Sequence, residues 1–139
     1  MQEGLAFSIL VVDDDEDNRM MIDEAFMQIG SASDVKKFIN GKGLFHYLSQ
    51  IDASLYPSLI VLDNILPDID ADNILRLLKQ NTAYQAIPVV IYTTMLSPSK
   101  KQQLLSMGAY ACFEKGSSLQ EIVEVAKELR RFARDNRQT

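Results

Sequence analysis

The chain has one cysteine, one histidine, four prolines and six glycines in 139 residues. Cys112 alone forms no internal disulfide, which suits a reducing compartment. His46 has no second histidine or cysteine with which to build a soft metal site, and it reads as a surface helix residue. Glycine is sparse, and no glycine fingerprint for a dinucleotide or a nucleoside triphosphate is present. Basic charge is in deficit: 14 Lys and Arg face 19 Asp and Glu, for a net charge of −5. The clustered cations that grip a phosphate backbone are missing, so direct nucleic-acid binding is disfavoured. No apolar run approaches the roughly 20 residues that cross a bilayer, and no basic segment followed by an apolar one opens the chain. The expectation is a cytoplasmic protein with no membrane partner.

What is present is a composition with 47% hydrophobic residues and mixed charge, enough for one domain over residues 1–139 and too short for two. Apolar, β-branched runs recur between helical patterns. Phe7 to Val12 ends on Asp13-Asp14-Asp15, and Leu59 to Leu62 ends on Asp63. Asp34 to Ile39 is a partly polar run suited to a sheet edge, where Lys36 and Lys37 discourage pairing with other chains. Pro88 to Tyr92 ends on Thr93-Thr94, and Tyr110 to Phe113 ends on Glu114-Lys115. Helical stripes follow each run: Ile22, Ala25, Phe26 and Ile29; Leu44, Phe45, Leu48 and Ile51; Ile74, Leu75, Leu77 and Leu78; Leu104, Leu105 and Met107; and Leu119, Ile122, Val123, Ala126, Leu129 and Ala133. Gly30 reads as a helix stop, Asn40-Gly41 as a turn, Ser97-Pro98 as a cap with first-turn proline, and Ser118 with Glu121 as a capping box.

Five strand and helix pairs imply an α/β fold, a doubly wound five-stranded parallel sheet with helices on both faces. The strand order expected is 2-1-3-4-5, with its switch point between strands 1 and 3. That topology brings Asp13, Asp14, Asp63, Thr93 and Lys115 to one crevice. Three carboxylates so close repel one another, by about 4 kcal/mol per pair at 4 Å and an effective dielectric near 20. Hard oxygen ligands of this kind point to Mg²⁺. A divalent cation, an ammonium and a hydroxyl around one carboxylate suit phosphoryl oxygens, with the carboxylate as nucleophile.

These residues resemble the receiver domains of two-component response regulators, with a flavodoxin-like, CheY-like three-layer fold. The resemblance rests on Asp13-Asp14 after the first strand, Asp63 with Pro67 four residues on, Thr93 after the fourth strand and Lys115 after the fifth. It implies that Asp63 accepts a phosphoryl group from a phosphohistidine on a sensor histidine kinase. It implies that Asp14, Asp63 and the backbone carbonyl of Ile65 ligate Mg²⁺ directly while Asp13 acts mostly through water. Lys115 pairs with Asp63 and then a phosphoryl oxygen, and Thr93 swings inward to report it. The output face is then helix 4, strand 5 and helix 5, meeting a downstream protein, a histidine phosphocarrier or a second copy of the chain. The Lys115-Gly-Ser-Ser-Leu segment, the polar Asp15 to Arg19 stretch and the expected lack of an output domain also resemble stand-alone regulators partnered with bacterial phytochromes.

The sequence departs from the family at five positions. Gly116 stands where proline usually follows the lysine, so the loop is either more flexible or held by a different turn. Cys112 replaces the aromatic that turns inward on activation, Phe113 pointing to the other face of its strand. Ala71 replaces a frequent glycine. Ile65 and Met95 are apolar where polar residues can position water, which predicts a long-lived aspartyl phosphate. Rival readings weigh less. An aspartate-dependent phosphatase needs a second acid at residue 65, and a flavodoxin needs a phosphate loop where Asp13-Asp14-Asp15 repel phosphate. A pseudo-receiver that binds protein without phosphorylation is the serious alternative, although its usual mark, loss of an acid or of Lys115, is missing. Asp15, Asp17, Asp68 and Asp72 read as caps or solvated turn residues.

Overall fold

In the computed structural model, which describes residues 8–136, each apolar run forms a short parallel strand. The strands are β1 (Ile9–Val12), β2 (Val35–Phe38), β3 (Leu59–Leu62), β4 (Val89–Thr93) and β5 (Ala111–Glu114). Phe7, expected at the head of the first strand, lies outside the described residues. The sheet order is β2-β1-β3-β4-β5 with every neighbouring pair parallel, as the alternation of strand and helix requires. The connections are α1 (Glu16–Gln28), α2 (Gly41–Gln50), α3 (Ala71–Gln80), α4 (Pro98–Ser106) and α5 (Leu119–Asp135).

The side-chain period of two divides the strands between two cores. Leu10, Val12, Ile60, Leu62, Val89 and Ile91 face α2, α3 and α4, where Leu44, Leu48, Ile74, Leu78 and Leu104 cover them. Ile9, Val11, Leu59, Val61, Val90 and Tyr92 face α1 and α5, where Ile22, Phe26, Ile122, Ala126 and Leu129 do the same. Cys112 joins the first core and Phe113 packs on the second, the opposite-face placement expected of neighbours in a strand. Edge strand β2 exposes Lys36 and Lys37.

Two local expectations are corrected. Leu77 is 46% exposed rather than part of the buried stripe. Ala71, Ile74, Leu75 and Leu78 complete the i, i+3, i+4, i+7 face, and Leu77 falls about 100° from Leu78. Asn40-Gly41 is a helix start rather than a turn, because the Asn40 side chain accepts the Gly43 N–H at 2.8 Å. Asp70, Ser97 and Ser118 cap α3, α4 and α5, with the full capping box at Ser118 and Glu121. Gly30, at φ 75°, follows the end of α1 in the left-handed conformation that glycine adopts without strain.

Register sets the position of the crevice. Val12 pairs with Leu62, and the Asp63 N–H donates to the Val12 carbonyl at 3.0 Å, so Asp13 and Asp63 leave the sheet side by side. Thr93 pairs with Glu114, and the Lys115 N–H donates to the Thr93 carbonyl at 2.7 Å. Among the described residues no helix is long and apolar enough to cross a membrane.

Candidate functional site

At the carboxyl edge of β1, β3, β4 and β5, the Lys115 ammonium bridges two carboxylates, donating to Asp13 Oδ2 at 2.6 Å and to Asp63 Oδ2 at 3.0 Å. All three side chains are close to buried, at 8%, 2% and 11% exposure, so the pairing is screened far less than a surface ion pair. Asp63 Oδ1 accepts the Thr93 hydroxyl at 3.0 Å, and the Ile65 N–H points back at the same oxygen at 3.4 Å. Asp14 is exposed beside them, and one carboxylate oxygen from each of Asp13, Asp14 and Asp63 lies within 4.8 Å of the others. The five side chains singled out from the sequence therefore meet in one place.

The arrangement fits a divalent cation on its own chemistry. Three carboxylates set against one ammonium leave two negative charges uncompensated, which is the charge of one Mg²⁺. The donors are hard oxygens, and the exposed Asp14 leaves the cluster open to the waters that Mg²⁺ retains. Ile65 lies beside the cluster through its N–H, while its side chain is 75% exposed.

The loop after Lys115 is held by a different turn from the one a proline makes. The Glu121 carboxylate, from the first turn of α5, accepts the backbone N–H groups of Ser117 at 3.0 Å and Ser118 at 3.1 Å, together with both serine hydroxyls. The Ser117 and Ser118 N–H groups and hydroxyls hold the Glu121 carboxyl below its usual pKa. Gly116 makes that closure possible, because a Cβ there would stand 2.5 Å from Glu121 Cβ. Any side chain at this position, proline included, displaces the glutamate. Gly116→Ala is accordingly expected to destabilise the fold by about 1–3 kcal/mol, read from the urea midpoint. A midpoint equal to that of the wild type contradicts the closure.

Other acids stay structural. Asp68 accepts the Gly41, Lys42 and Ile69 N–H groups at 3.0, 2.8 and 2.7 Å, fastening the β3–α3 loop to the start of α2. Burial alone raises its pKa, and the three N–H groups overcome this to leave it lowered. Asp72 pairs with Lys100 at 2.5 Å, joining α3 to α4. Asp15 is the N-cap residue of α1 without a side-chain bond, and Asp17 is exposed in that helix's first turn. His46 is exposed, and burial raises the pKa of the Cys112 thiol, with Lys101 opposing.

Three neighbours of the site lie outside what sequence pattern reveals. Arg19 reaches back from α1 to donate to the Asp13 carbonyl at 2.8 Å, bracing the acid-bearing loop. Glu121 was legible as a cap but not as the anchor of the Lys115 loop. Tyr92 lies with its ring centroid 5.9 Å from Lys115 Nζ, a contact across strands that spacing does not encode.

Comparison with known proteins agrees with this geometry. The chain is 27% identical over 128 residues to a probable methanogenesis regulatory protein, FilR2 of Methanothrix harundinacea, covering 91% of this chain and 83% of that protein. It is 25% identical over 138 residues to the two-component response regulator ARR8 of Arabidopsis thaliana, covering 90% of this chain and 61% of ARR8. The structure of a phosphorylated cyanobacterial phytochrome response regulator, RcpA, is similar in fold, with a TM-score of 0.79, 24% identity, and coverage of 92% of this chain and 94% of that one. The response regulator receiver domain model matches residues 9–127, which takes in every strand, the acid pair, Asp63, Thr93 and Lys115. With its sheet order, its crevice of acids and that match in agreement, the chain belongs to the response regulator receiver domain family of two-component signalling.

Proposed function

We propose that this receiver domain takes a phosphoryl group on Asp63 from a sensor histidine kinase. The observation that carries the reading is the bridge of Lys115 Nζ between Asp13 and Asp63, with the Thr93 hydroxyl on the other Asp63 oxygen. Asp14, Asp63 and the backbone carbonyl of Ile65, with Asp13 mostly through water, would hold Mg²⁺, which when bound neutralises charge on the phosphoryl oxygens. An Asp63 oxygen attacks phosphorus, the P–N bond to the kinase histidine breaks, and the imidazole leaves with its electron pair. Lys115 then releases one carboxylate contact for a phosphoryl oxygen. Thr93, freed from the phosphorylated carboxylate, turns its hydroxyl to another phosphoryl oxygen and draws the β4–α4 loop with it.

The output surface is the α4, β5 and α5 face. Tyr110, 49% exposed, meets the Phe132 ring edge-on at 5.0 Å, and Phe113 stacks on Phe132 at 6.2 Å. Aromatic groups with one exposed edge suit a protein partner, either a downstream target, a histidine phosphocarrier or a second copy of the chain. The likeness to the phytochrome regulator RcpA supports a phytochrome-type kinase as the phosphoryl source. The site works in the cytoplasm, where such kinases present their phosphohistidine.

Beryllofluoride, a phosphoryl mimic for carboxylates, tests acceptor and switch together. Added with Mg²⁺, it is expected to shift the NMR signals of Thr93 and of the α4, β5 and α5 face, or to change the molecular size, in the wild type but not in Asp63→Asn. Identical responses in both proteins contradict the proposal.

Ile65 and Met95 set a second expectation. Their side chains are 75% and 82% exposed at the rim and offer no hydrogen bond to an attacking water. The aspartyl phosphate is therefore expected to decay at least about tenfold more slowly than in an Ile65→Asn, Met95→Glu variant. Equal decay of labelled phosphoprotein sinks that expectation.

A further inference from the structure

Tyr92 is the last residue of β4 before Thr93, and it points away from the carboxylates into the core shared with α1 and α5. It is 3% exposed, and its hydroxyl faces the Gly116 N–H without closing a hydrogen bond of full geometry to any of the described residues. Buried hydroxyls nearly always find a partner, because an unpaired one forfeits its hydration. Burial pushes this phenol up to about 12, with the Gly116 N–H opposing and the charges of Asp13 and Glu121 adding to the rise. It therefore remains a hydrogen-bond donor throughout the working range.

Next to it lies a cavity of about 30 Å³ lined by Asn18, Met21, Ile22, Tyr92, Lys115, Gly116 and Ile122. That volume accommodates one water, and three of the residues that line it, Tyr92, Asn18 and Gly116, carry polar groups of the kind a buried water needs. Lys115, which bridges Asp13 and Asp63, also lines the cavity, and the Tyr92 ring lies within cation–π range of its ammonium.

We propose that Tyr92 is a positioning residue for Lys115, supporting the ammonium with its ring and tying Gly116 in place through one water shared with Asn18. The role follows from the loop. Gly116 lacks the rigidity of a proline, and Glu121 fastens only Ser117 and Ser118, so the residue joining them to Lys115 gains its second anchor from below. Tyr92 acts on the phosphoryl site through Lys115 and touches no reacting atom. The functional consequence rests on the reading of Asp63 as the acceptor, whereas the structural link does not.

The test compares the full chain with Tyr92→Phe, which keeps the ring, and with Asn18→Ala. In the wild type, NMR is expected to show a cross-peak between the Gly116 amide and a long-lived water. Both variants lose it, and exchange of the Gly116 amide accelerates at least about tenfold while the β3 and α3 amides keep their protection. The rate of labelling by acetyl phosphate falls about three- to tenfold in Tyr92→Phe, with affinity for Mg²⁺ unchanged because the carboxylates are untouched. Absence of the water cross-peak in the wild type overturns the proposal. So does unchanged exchange at Gly116 in Tyr92→Phe, or acceleration spread evenly over the sheet, which marks a merely structural role. If the wild type takes no phosphoryl group at all, the acceptor reading fails, and the Gly116 measurements still decide the role of Tyr92.

Discussion

Replacing Lys115 by alanine is expected to lower the rate of phosphorylation by about 10²-fold or more and, in the absence of Mg²⁺, to destabilise the fold by about 3 kcal/mol. The kinetic part follows from losing a preorganised cation aimed at phosphoryl oxygens, since deleting one such donor typically costs 10²- to 10³-fold. The stability part follows from burial. Asp13 is 2% exposed and Asp63 11%, and both lose their counter-charge at once. Breaking a buried pair by removing one partner costs roughly 3–5 kcal/mol, and the solvent-facing Asp14 side of the crevice places this case at the low end. The two parts separate experimentally. Saturating Mg²⁺ restores most of the stability, because it replaces charge, but leaves the rate low, because it does not replace the ammonium's position. In the double variant Asp63→Asn, Lys115→Ala the loss of stability is smaller than in Lys115→Ala alone, as one orphaned charge has gone. An equal loss in both shows that the bridge to Asp63 contributes nothing.

Asp14→Asn is expected to reverse its effect on stability when Mg²⁺ is added. Among the described residues the Asp14 side chain makes no hydrogen bond or ion pair, so without metal it contributes only repulsion to Asp13 and Asp63. Removing that charge stabilises the metal-free protein, by about 1 kcal/mol after allowance for solvent screening. With metal the sign changes. A ligand present at about 100 times its dissociation constant adds about 2.7 kcal/mol to the wild type, on the order of 8 °C in Tm for a domain of this size. Asp14→Asn forfeits most of that gain. Thermal unfolding of both proteins, with Mg²⁺ and with chelator, provides the four values. If the variant is the less stable of the two in chelator, the cluster is not strained by its own charge. If both gain equally from Mg²⁺, Asp14 is not a ligand.

The sheet and the crevice were legible for a simple reason: both are encoded by short-range pattern. An apolar run that stops on a polar residue marks a strand and its carboxyl end, and parallel pairing then collects Asp13, Asp63, Thr93 and Lys115 along one edge whatever the helices do. Caps at Ser97 and Ser118 are equally local. Leu77 and Asn40 show where local reading weakens. The arc of a helix that becomes buried is fixed by what packs on it, and Asn-Gly serves a helix start as well as a turn. Tyr92, Arg19 and the reach of Glu121 were beyond pattern altogether. Tyr92 and Glu121 act across elements, on Lys115 and its loop, and Arg19 reaches back over the β1–α1 loop. The departure at Gly116 shows the same limit in reverse, since its reason is the position of one Cβ on α5.

The central claim is that Asp63 is the group that takes the phosphoryl. Intact mass spectrometry after incubation with acetyl phosphate and Mg²⁺ tests it, with peptide mapping to place the adduct. The predicted result is one added phosphoryl group per chain, mapped to Asp63 and absent both from Asp63→Asn and from samples treated with chelator. An unmodified wild-type mass, or an adduct that persists in Asp63→Asn, contradicts the account.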